Sequence, residues 1–180
     1  MNTATRPVPR STDVVILVDD RDQPLGTADK LKAHEDGGKL HRAFSIFVFN
    51  SQGQVMLQRR AASKYHFGGL WTNTCCSHPH PDYGLLEFAR NRLQEEMGFD
   101  VPLTEQFSFV YRAHDAQSGL TEHEYDHVLF GRYDGEPHPN PAEADGWKWM
   151  EPEALRQDVV AHPERYTPWF RIVLERVLGR

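Results

Sequence analysis

The stretch LLEFARNRLQEEMGF, residues 85–99, contains the clearest helix signal in the chain. Its apolar residues recur at spacings of three or four, which places them on one face of a helix. These residues are Leu85, Leu86, Ala89, Leu93 and Met97. Asp82, just after Pro81, is a typical N-cap, and Gly98 stands where a C-terminal cap belongs. The pattern predicts a helix from Asp82 to Gly98 that buries one face.

Strand patterns lie on both sides of this helix. Before it come DVVILVD (13–19), RAFSIFVFN (42–50) and VMLQRR (55–60), and after it come QFSFVYR (106–112), TEHEYDHVLFGRY (121–133) and GWKWM (146–150). A short helix is predicted in ADKLKAHE (28–35), and two more in EPEALRQDVV (151–160) and TPWFRIVLERVL (167–178), the last capped by Thr167. The mixture predicts an α/β or α+β fold with a mixed β-sheet between helices.

Composition limits the class of protein. The chain has 180 residues, 39% hydrophobic and 26% charged, with a net charge of −6. We expect a flexible tail over residues 1–12 and a single domain over 13–180, in the cytoplasm, as a monomer or weak dimer. No apolar run approaches the ~20 residues that span a bilayer, so no membrane insertion is expected. The negative charge argues against nucleic-acid binding.

Both cysteines lie in WTNTCCSHPH, residues 71–80. A disulfide between neighbours is strained, and there is no second thiol pair for a Cys-rich zinc site. On an extended chain Cys75 and Cys76 point to opposite faces, whereas Thr74, Cys76 and His78 share one. One thiol and one imidazole are therefore expected in a common pocket.

A possible metal site is spread over the chain. Glu122 and Glu124 in TEHEY project from one face of a predicted strand, which by itself is typical of a solvated surface. With nitrogen ligands from His34, His41 and His78 they would suit Mn²⁺, Zn²⁺ or Mg²⁺. The other histidines are expected at the surface or in packing: His66, His80, His114, His123, His127, His138 and His162.

The end of the helix predicted from Asp82 to Gly98 resembles the Nudix box, a loop and helix that hold Mg²⁺ on a diphosphate. LQEEMGF (93–99) matches, but Asn91 and Arg92 stand where a Nudix hydrolase has Arg-Glu. Arg92 and Glu96 also have the spacing of an ordinary surface ion pair. An arginine in place of a ligating carboxylate could bind a phosphate oxygen instead.

The chain as a whole resembles the type I isopentenyl-diphosphate delta-isomerases, which have a Nudix fold. The likeness runs from about residue 13 to 175 and rests on motifs in the family's order. These are KLKAH, HRAF, RRAASK, WTNTCCSHP, RLQEEMG, YRAHD, TEHEY and TPWF. The resemblance implies a metal-dependent isomerase of isoprenoid biosynthesis that converts isopentenyl diphosphate into dimethylallyl diphosphate through a tertiary carbocation.

The resemblance also implies roles for individual residues. Cys76 and Glu124 match the paired proton-transfer groups, and Tyr111 the catalytic tyrosine. The metal ligands it implies are His34, His41, His78, Glu122 and Glu124, with Glu96 and the main-chain carbonyl of Cys76 for a second ion, Mg²⁺, that bridges to the diphosphate. The phosphate-binding cations it implies are Lys30, Arg60, Lys64 and Arg92.

The role of Trp169 and the function of the protein both stay open at this level. Trp169 could stabilise a carbocation through its π face or be a core residue. A Nudix hydrolase that cuts a diphosphate is the main alternative function, and Arg92 counts against it. A protein that binds a metal or an isoprenoid without turnover is the third possible function.

Overall fold

The computed structural model describes residues 13–179, so the predicted tail over residues 1–12 lies outside the described part. Its strands are β1 (Val14–Val18), β2 (Pro24–Asp29), β3 (His41–Phe49), β4 (Val55–Arg60), β5 (Trp71–Thr72), β6 (Cys75–Ser77), β7 (Thr104–His114), β8 (Thr121–Arg132) and β9 (Ala144–Met150). All the strands that the alternating patterns predict are present. The extended conformation expected around Cys75 and Cys76 corresponds to the short strand β6, and the short strand β5 lies outside the predicted patterns.

The helices are α1 (Lys30–His34), α2 (Leu85–Met97), α3 (Pro152–Ala161) and α4 (Pro168–Leu178), with a 3₁₀ turn over Pro163–Arg165. Of the two predicted N-caps, one is wrong and the other is confirmed in position. Helix α2 begins at Leu85 with Gly84 as its N-cap, so Asp82 lies outside it. Thr167 holds the N-cap position of α4, but its hydroxyl bonds that of Thr72 at 2.8 Å. Gly98 ends α2 as predicted, with a left-handed φ of 79°.

Strand β3 is the centre of the sheet. It runs parallel to β8 over its whole length, from the pair His41 and Glu124 to the pair Phe49 and Arg132. On its other side it pairs with β6, which places Ser45 opposite Cys76. Strand β7 extends the sheet beyond β8, and β4 carries β5 and β9. The residues of β6 and β8 are therefore held on either side of β3.

Two hydrophobic cores cover the two faces of this sheet. Alternate residues of β3 point in opposite directions, so Phe44 and Ile46 pack with α2, whereas Phe47 packs with α4. Because each face is covered by a helix, the apolar strands of the centre are buried on both sides. This is the mixed sheet between helices that the sequence predicts.

Candidate active site

One pocket collects most of the predicted functional residues. It lies near the start of β3, where His41 stands, and residues of both α2 and α4 line it. Its lining is Lys30, Phe44, Arg60, Lys64, Tyr65, His66, Cys76, Ser77, His78, Arg92, Glu96, Tyr111, Glu122, Glu124 and Trp169. Thr74, which was expected to share this face with Cys76, lies elsewhere. Its hydroxyl bonds the backbone of Val48 and Met56.

The five predicted metal ligands converge at this end of the sheet. Their nitrogen and oxygen atoms lie within 4.8 Å of one another, and all five residues are buried. They come from four places in the chain: His34 from the end of α1, His41 from the start of β3, His78 from just after β6, and the two glutamates from β8. The parallel pairing of β3 with β8 sets His41 directly opposite Glu124.

Backbone carbonyls fix the orientation of two of these imidazoles. Nδ1 of His34 lies 2.6 Å from the carbonyl of Lys30, and Nδ1 of His41 lies 2.7 Å from that of Lys39. A carbonyl accepts only, so each ring donates Nδ1–H and turns the lone pair of Nε2 toward the cluster. Such partners are typical of histidines that bind metals.

The donor set fits a divalent cation. Nε2 of His41 and Nε2 of His78 are only 3.1 Å apart, and Nε2 of His78 lies 2.8 Å from a carboxylate oxygen of Glu124. Lone pairs crowded at these distances repel unless a proton or a cation lies between them. Burial lowers the pKa of His78 to about 3, against the opposing effect of Glu124, so a proton is disfavoured there. Neutral imidazoles and ionised carboxylates are the form that binds metal.

The carboxylates of the cluster are ionised despite their burial. Burial raises the pKa of Glu122, but its contacts with His34 and His66 outweigh this effect and hold that pKa well below its usual range. Burial and the charge of Glu122 both raise the pKa of Glu124, and contacts with His41 and His78 bring it below its ordinary value. Because two ionised carboxylates are buried close together, they require a positive charge beside them and so favour the binding of a cation.

Cys76 and Glu124 line the same pocket from two different strands. Cys76 lies on β6 and Glu124 on β8, and these strands flank β3, about 10 Å apart at the usual strand spacing. Burial raises the pKa of the Cys76 thiol to about 12, although the guanidinium of Arg60 opposes the shift. Arg60 approaches the sulfur through Nη1 at 3.8 Å. The thiol is therefore neutral at physiological pH.

Tyr111 donates its hydroxyl hydrogen to Oε2 of Glu124. The two residues face each other across the β7–β8 pair, where Tyr111 and Glu124 are direct partners. Burial raises the pKa of Tyr111 well above its usual value, and the charge of Glu124 adds to this effect. A tyrosine that keeps its proton can only donate to this carboxylate, so it holds the carboxyl group in one orientation.

Trp169 belongs both to the core and to the pocket. It is 3% exposed, packs in the core under α4, and donates Nε1–H to Oδ1 of Asn73 at 3.2 Å. Its ring also lines the pocket, 5.4 Å from the ring of Phe67 and 6.1 Å from that of Tyr111. Both interpretations of this tryptophan are thus compatible with its position.

The four predicted phosphate-binding cations all line the pocket. Arg92 binds Glu96 through Nη2 and Oε1 at 2.6 Å, and its Nη2 also lies 3.3 Å from Glu143. Lys64 forms an ion pair with the same Glu143. Sequence reasoning missed Glu143, because it lies in a loop without periodicity and its partners are distant in the chain.

His66 was expected at the surface or in packing, and the structure corrects this. Its side chain is 7% exposed, lines the pocket and contacts Glu122 through Nε2. Its partner is 56 positions away in the sequence, so no local pattern indicates the contact.

Comparison with known proteins places this site in a family. The model of the NUDIX domain matches residues 39–170. Isopentenyl-diphosphate Delta-isomerase 2 of Aromatoleum aromaticum is 56% identical over 167 residues, which cover 93% of this chain and 87% of that protein. The chain belongs to the isopentenyl-diphosphate Delta-isomerase family of NUDIX-fold proteins.

Further relatives agree with this family. The isopentenyl-diphosphate Delta-isomerase of Halorhodospira halophila is 50% identical over 162 residues, covering 89% of this chain and 93% of that one. Among solved structures, a protein of Deinococcus radiodurans superposes with a TM-score of 0.74 over 91% of this chain and 98% of its own, at 22% identity. At that identity the likeness shows the fold alone, and it confirms the NUDIX-like mixed sheet between helices.

Proposed function

We propose that this member of the isopentenyl-diphosphate Delta-isomerase family converts isopentenyl diphosphate into dimethylallyl diphosphate in isoprenoid biosynthesis. The observation that carries the proposal is the placement of Cys76 and Glu124 in one pocket, on the two strands that flank β3. Moving the double bond requires a proton to be added at the terminal methylene carbon and another to be removed two carbons away. Two proton-transfer groups that reach the hydrocarbon from different sides meet this requirement.

Cys76 and Glu124 are these two groups. One group donates its proton to the methylene carbon, where a new C–H bond forms. The other takes a proton from the carbon two positions away, and the electrons of that C–H bond become part of the new double bond. Because the shift is reversible, each group gives its proton in one direction and takes it in the other. Tyr111, through its hydrogen bond to Glu124, fixes the orientation of the carboxyl group during both transfers.

Protonation leaves positive charge on the tertiary carbon, and the pocket wall suits that charge. Trp169 and Tyr111 give this part of the pocket an aromatic surface, and Phe67 packs against the ring of Trp169. A cation over a desolvated indole is stabilised by about 2 kcal/mol, which corresponds to roughly a thirtyfold rate factor. Trp169 therefore stabilises the carbocation while it also anchors α4.

The metal ligands are the cluster of His34, His41, His78, Glu122 and Glu124, with Mn²⁺, Zn²⁺ or Mg²⁺ as the ion. Glu96 and the main-chain carbonyl of Cys76 would hold a second ion, Mg²⁺. Such ions would supply positive charge that offsets the diphosphate and polarises the carboxyl group of Glu124. Five donors within 4.8 Å support the first assignment.

The diphosphate is bound by Lys30, Arg60, Lys64 and Arg92, which line the pocket. Arg92 occupies a position at which a hydrolase of this fold has a carboxylate. The second candidate function is hydrolysis of a diphosphate. It is disfavoured because an arginine in place of this carboxylate removes a metal ligand from the water-activating site.

Incubation of the protein with isopentenyl diphosphate and Mg²⁺ tests the function. We expect dimethylallyl diphosphate to form without release of phosphate, and the Cys76→Ala variant to form it far more slowly. Phosphate release without dimethylallyl diphosphate would establish the hydrolase instead. Binding of isopentenyl diphosphate without either product would establish a binding protein.

Metal content tests the ligand assignment. His41→Ala should lower the metal bound per chain, measured by elemental analysis after gel filtration. His123→Ala is the matched control, since His123 lies between the two glutamates on β8 but points to the other face and bonds the carbonyl of Gly38. Equal metal content in the two variants would remove His41 from the site.

The domain, its assembly and its location are also part of this proposal. We assign residues 13–180 to a single isomerase domain that acts in the cytoplasm as a monomer or weak dimer. Among residues 13–179, no helix combines the length and apolarity needed to cross a membrane. Light scattering across a range of protein concentrations would reveal a stable larger oligomer and so contradict the assembly.

A further inference from the structure

We propose that His66 is a positioning residue that holds Glu122 from the loop over the pocket and so couples that loop to the metal cluster. The inference rests on the proposed function, because it takes Glu122 as a metal ligand. It concerns a residue outside the five-donor cluster.

Each oxygen of the Glu122 carboxylate contacts a different histidine. Oε2 lies 2.8 Å from Nε2 of His34, inside the cluster, whereas Oε1 contacts Nε2 of His66 on the other side. Glu122 is 3% exposed and His66 is 7% exposed, so water competes little with these contacts. His66 thus fixes the rotation of the carboxylate and leaves Oε2 directed at the cluster.

This arrangement separates the role of His66 from that of a ligand. Nε2 of His66 is directed at the outer oxygen of Glu122, and His66 is not among the residues whose donor atoms lie within 4.8 Å of one another. Outer partners of this kind raise the basicity of a ligand and hold its orientation.

The loop that carries His66 is closed and anchored. Residues 61–70 connect β4 with β5, and two backbone hydrogen bonds join the ends of this loop. The amide of Arg60 donates to the carbonyl of Leu70 at 2.9 Å, and the amide of Gly69 donates to the carbonyl of Arg60 at 3.0 Å. Gly68 packs so closely that a Cβ there would lie 2.9 Å from the carbonyl oxygen of Ala62. A side chain at position 68 would therefore push the loop open.

The same loop reaches three parts of the pocket. Besides His66 at the metal cluster, it carries Lys64 among the phosphate-binding cations and Phe67, whose ring packs edge-on against Trp169. Arg60 donates Nη2–H to the carbonyl of His66 at 3.2 Å, which ties a phosphate-binding cation to the loop. An ion that orders Glu122 should therefore order the loop, and by reciprocity an ordered loop should tighten the ion.

Binding of Mn²⁺ in the absence of substrate tests this inference. We expect His66→Ala to weaken Mn²⁺ binding about 10- to 100-fold in a calorimetric titration, which is the usual effect of losing an outer partner. His66→Gln keeps an N–H donor near the position of Nε2 and should recover most of the affinity. His123→Ala, which lies outside the pocket lining, should bind Mn²⁺ like the parent protein.

Hydrogen exchange of residues 61–70 provides a second measurement. Mn²⁺ should slow exchange of the loop amides in the parent protein and in His66→Gln, but not in His66→Ala at saturating Mn²⁺. The proposal is overturned by parental affinity in His66→Ala, by a His66→Gln variant as weak as His66→Ala, or by equal protection of the loop in all three. Because both measurements omit substrate, a failure of isomerisation leaves them interpretable.

Discussion

Cys75 and Cys76 are neighbours in the sequence, yet their side chains lie on opposite faces of the sheet. Cys75 is fully buried against α2, whereas Cys76 opens into the pocket. Both thiols are free. We therefore predict that Cys76→Ala lowers kcat by about 10²- to 10⁴-fold, the usual range for a lost proton-transfer group. Cys75→Ala should retain most of the turnover. An inactive Cys75→Ala beside an active Cys76→Ala would reverse the assignment.

The ionisation of Cys76 should occur far above that of an ordinary thiol. Burial raises its pKa to about 12, so the folded protein keeps the proton while an unfolded chain loses it near pH ~8.5. In the Cys75→Ala variant, thiolate absorbance should stay flat below about pH 10. Because the pKa of Cys76 is higher in the folded protein than in the unfolded chain, the stability contributed by the neutral thiol is present below pH ~8.5. It is lost as the pH rises toward about 12. A thiolate that appears near neutral pH would contradict this view of the pocket.

Tyr111→Phe should slow the reaction without removing the metal. The change deletes the hydrogen bond to Glu124, and hydrogen bonds to charged groups contribute about 1.5–3 kcal/mol. We expect kcat to fall by roughly 10- to 100-fold, with unchanged metal content. Tyr125→Phe is the control, since Tyr125 is on the same sheet and its hydroxyl lies 3.1 Å from that of Ser108. Equal rates for the two variants would exclude a role for Tyr111.

Arg92→Ala should weaken the binding of inorganic diphosphate in the presence of Mg²⁺. Charge-assisted bonds to phosphate are among the strong hydrogen bonds, so a loss of roughly tenfold or more in Kd is expected. Arg90→Ala is a matched control in the same helix, because Arg90 is directed outward and pairs with Asp100 at 2.6 Å. If the two variants bind diphosphate equally well, Arg92 serves only its ion pairs within the protein.

Periodic parts of the fold were predictable from the sequence. The spacing of Leu85, Ala89 and Leu93 indicates α2, and the alternation at Phe107, Phe109 and Tyr111 indicates β7. The start of α2 was not predicted correctly, because Asp82 is a good cap by residue type whereas the chain turns two residues later, at Gly84. Local preference sets where a helix can begin, and tertiary contacts choose among the possible starts.

The site was predictable only where a motif carried it. The five proposed metal ligands come from the resemblance, since spacing alone gives no reason to join His34 to Glu122 across 88 positions. His66 and Glu143 were missed for the same physical reason. Each gains its role from a partner that only the folded chain brings near, and neither stands in a repeating pattern.

A crystal structure with a bound isoprenoid diphosphate tests the central assignment most directly. It should place the sulfur of Cys76 and a carboxylate oxygen of Glu124 on opposite sides of the plane of the hydrocarbon, with the diphosphate at Lys64 and Arg92. Both atoms on the same side of that plane would contradict the proposed pair of proton-transfer groups.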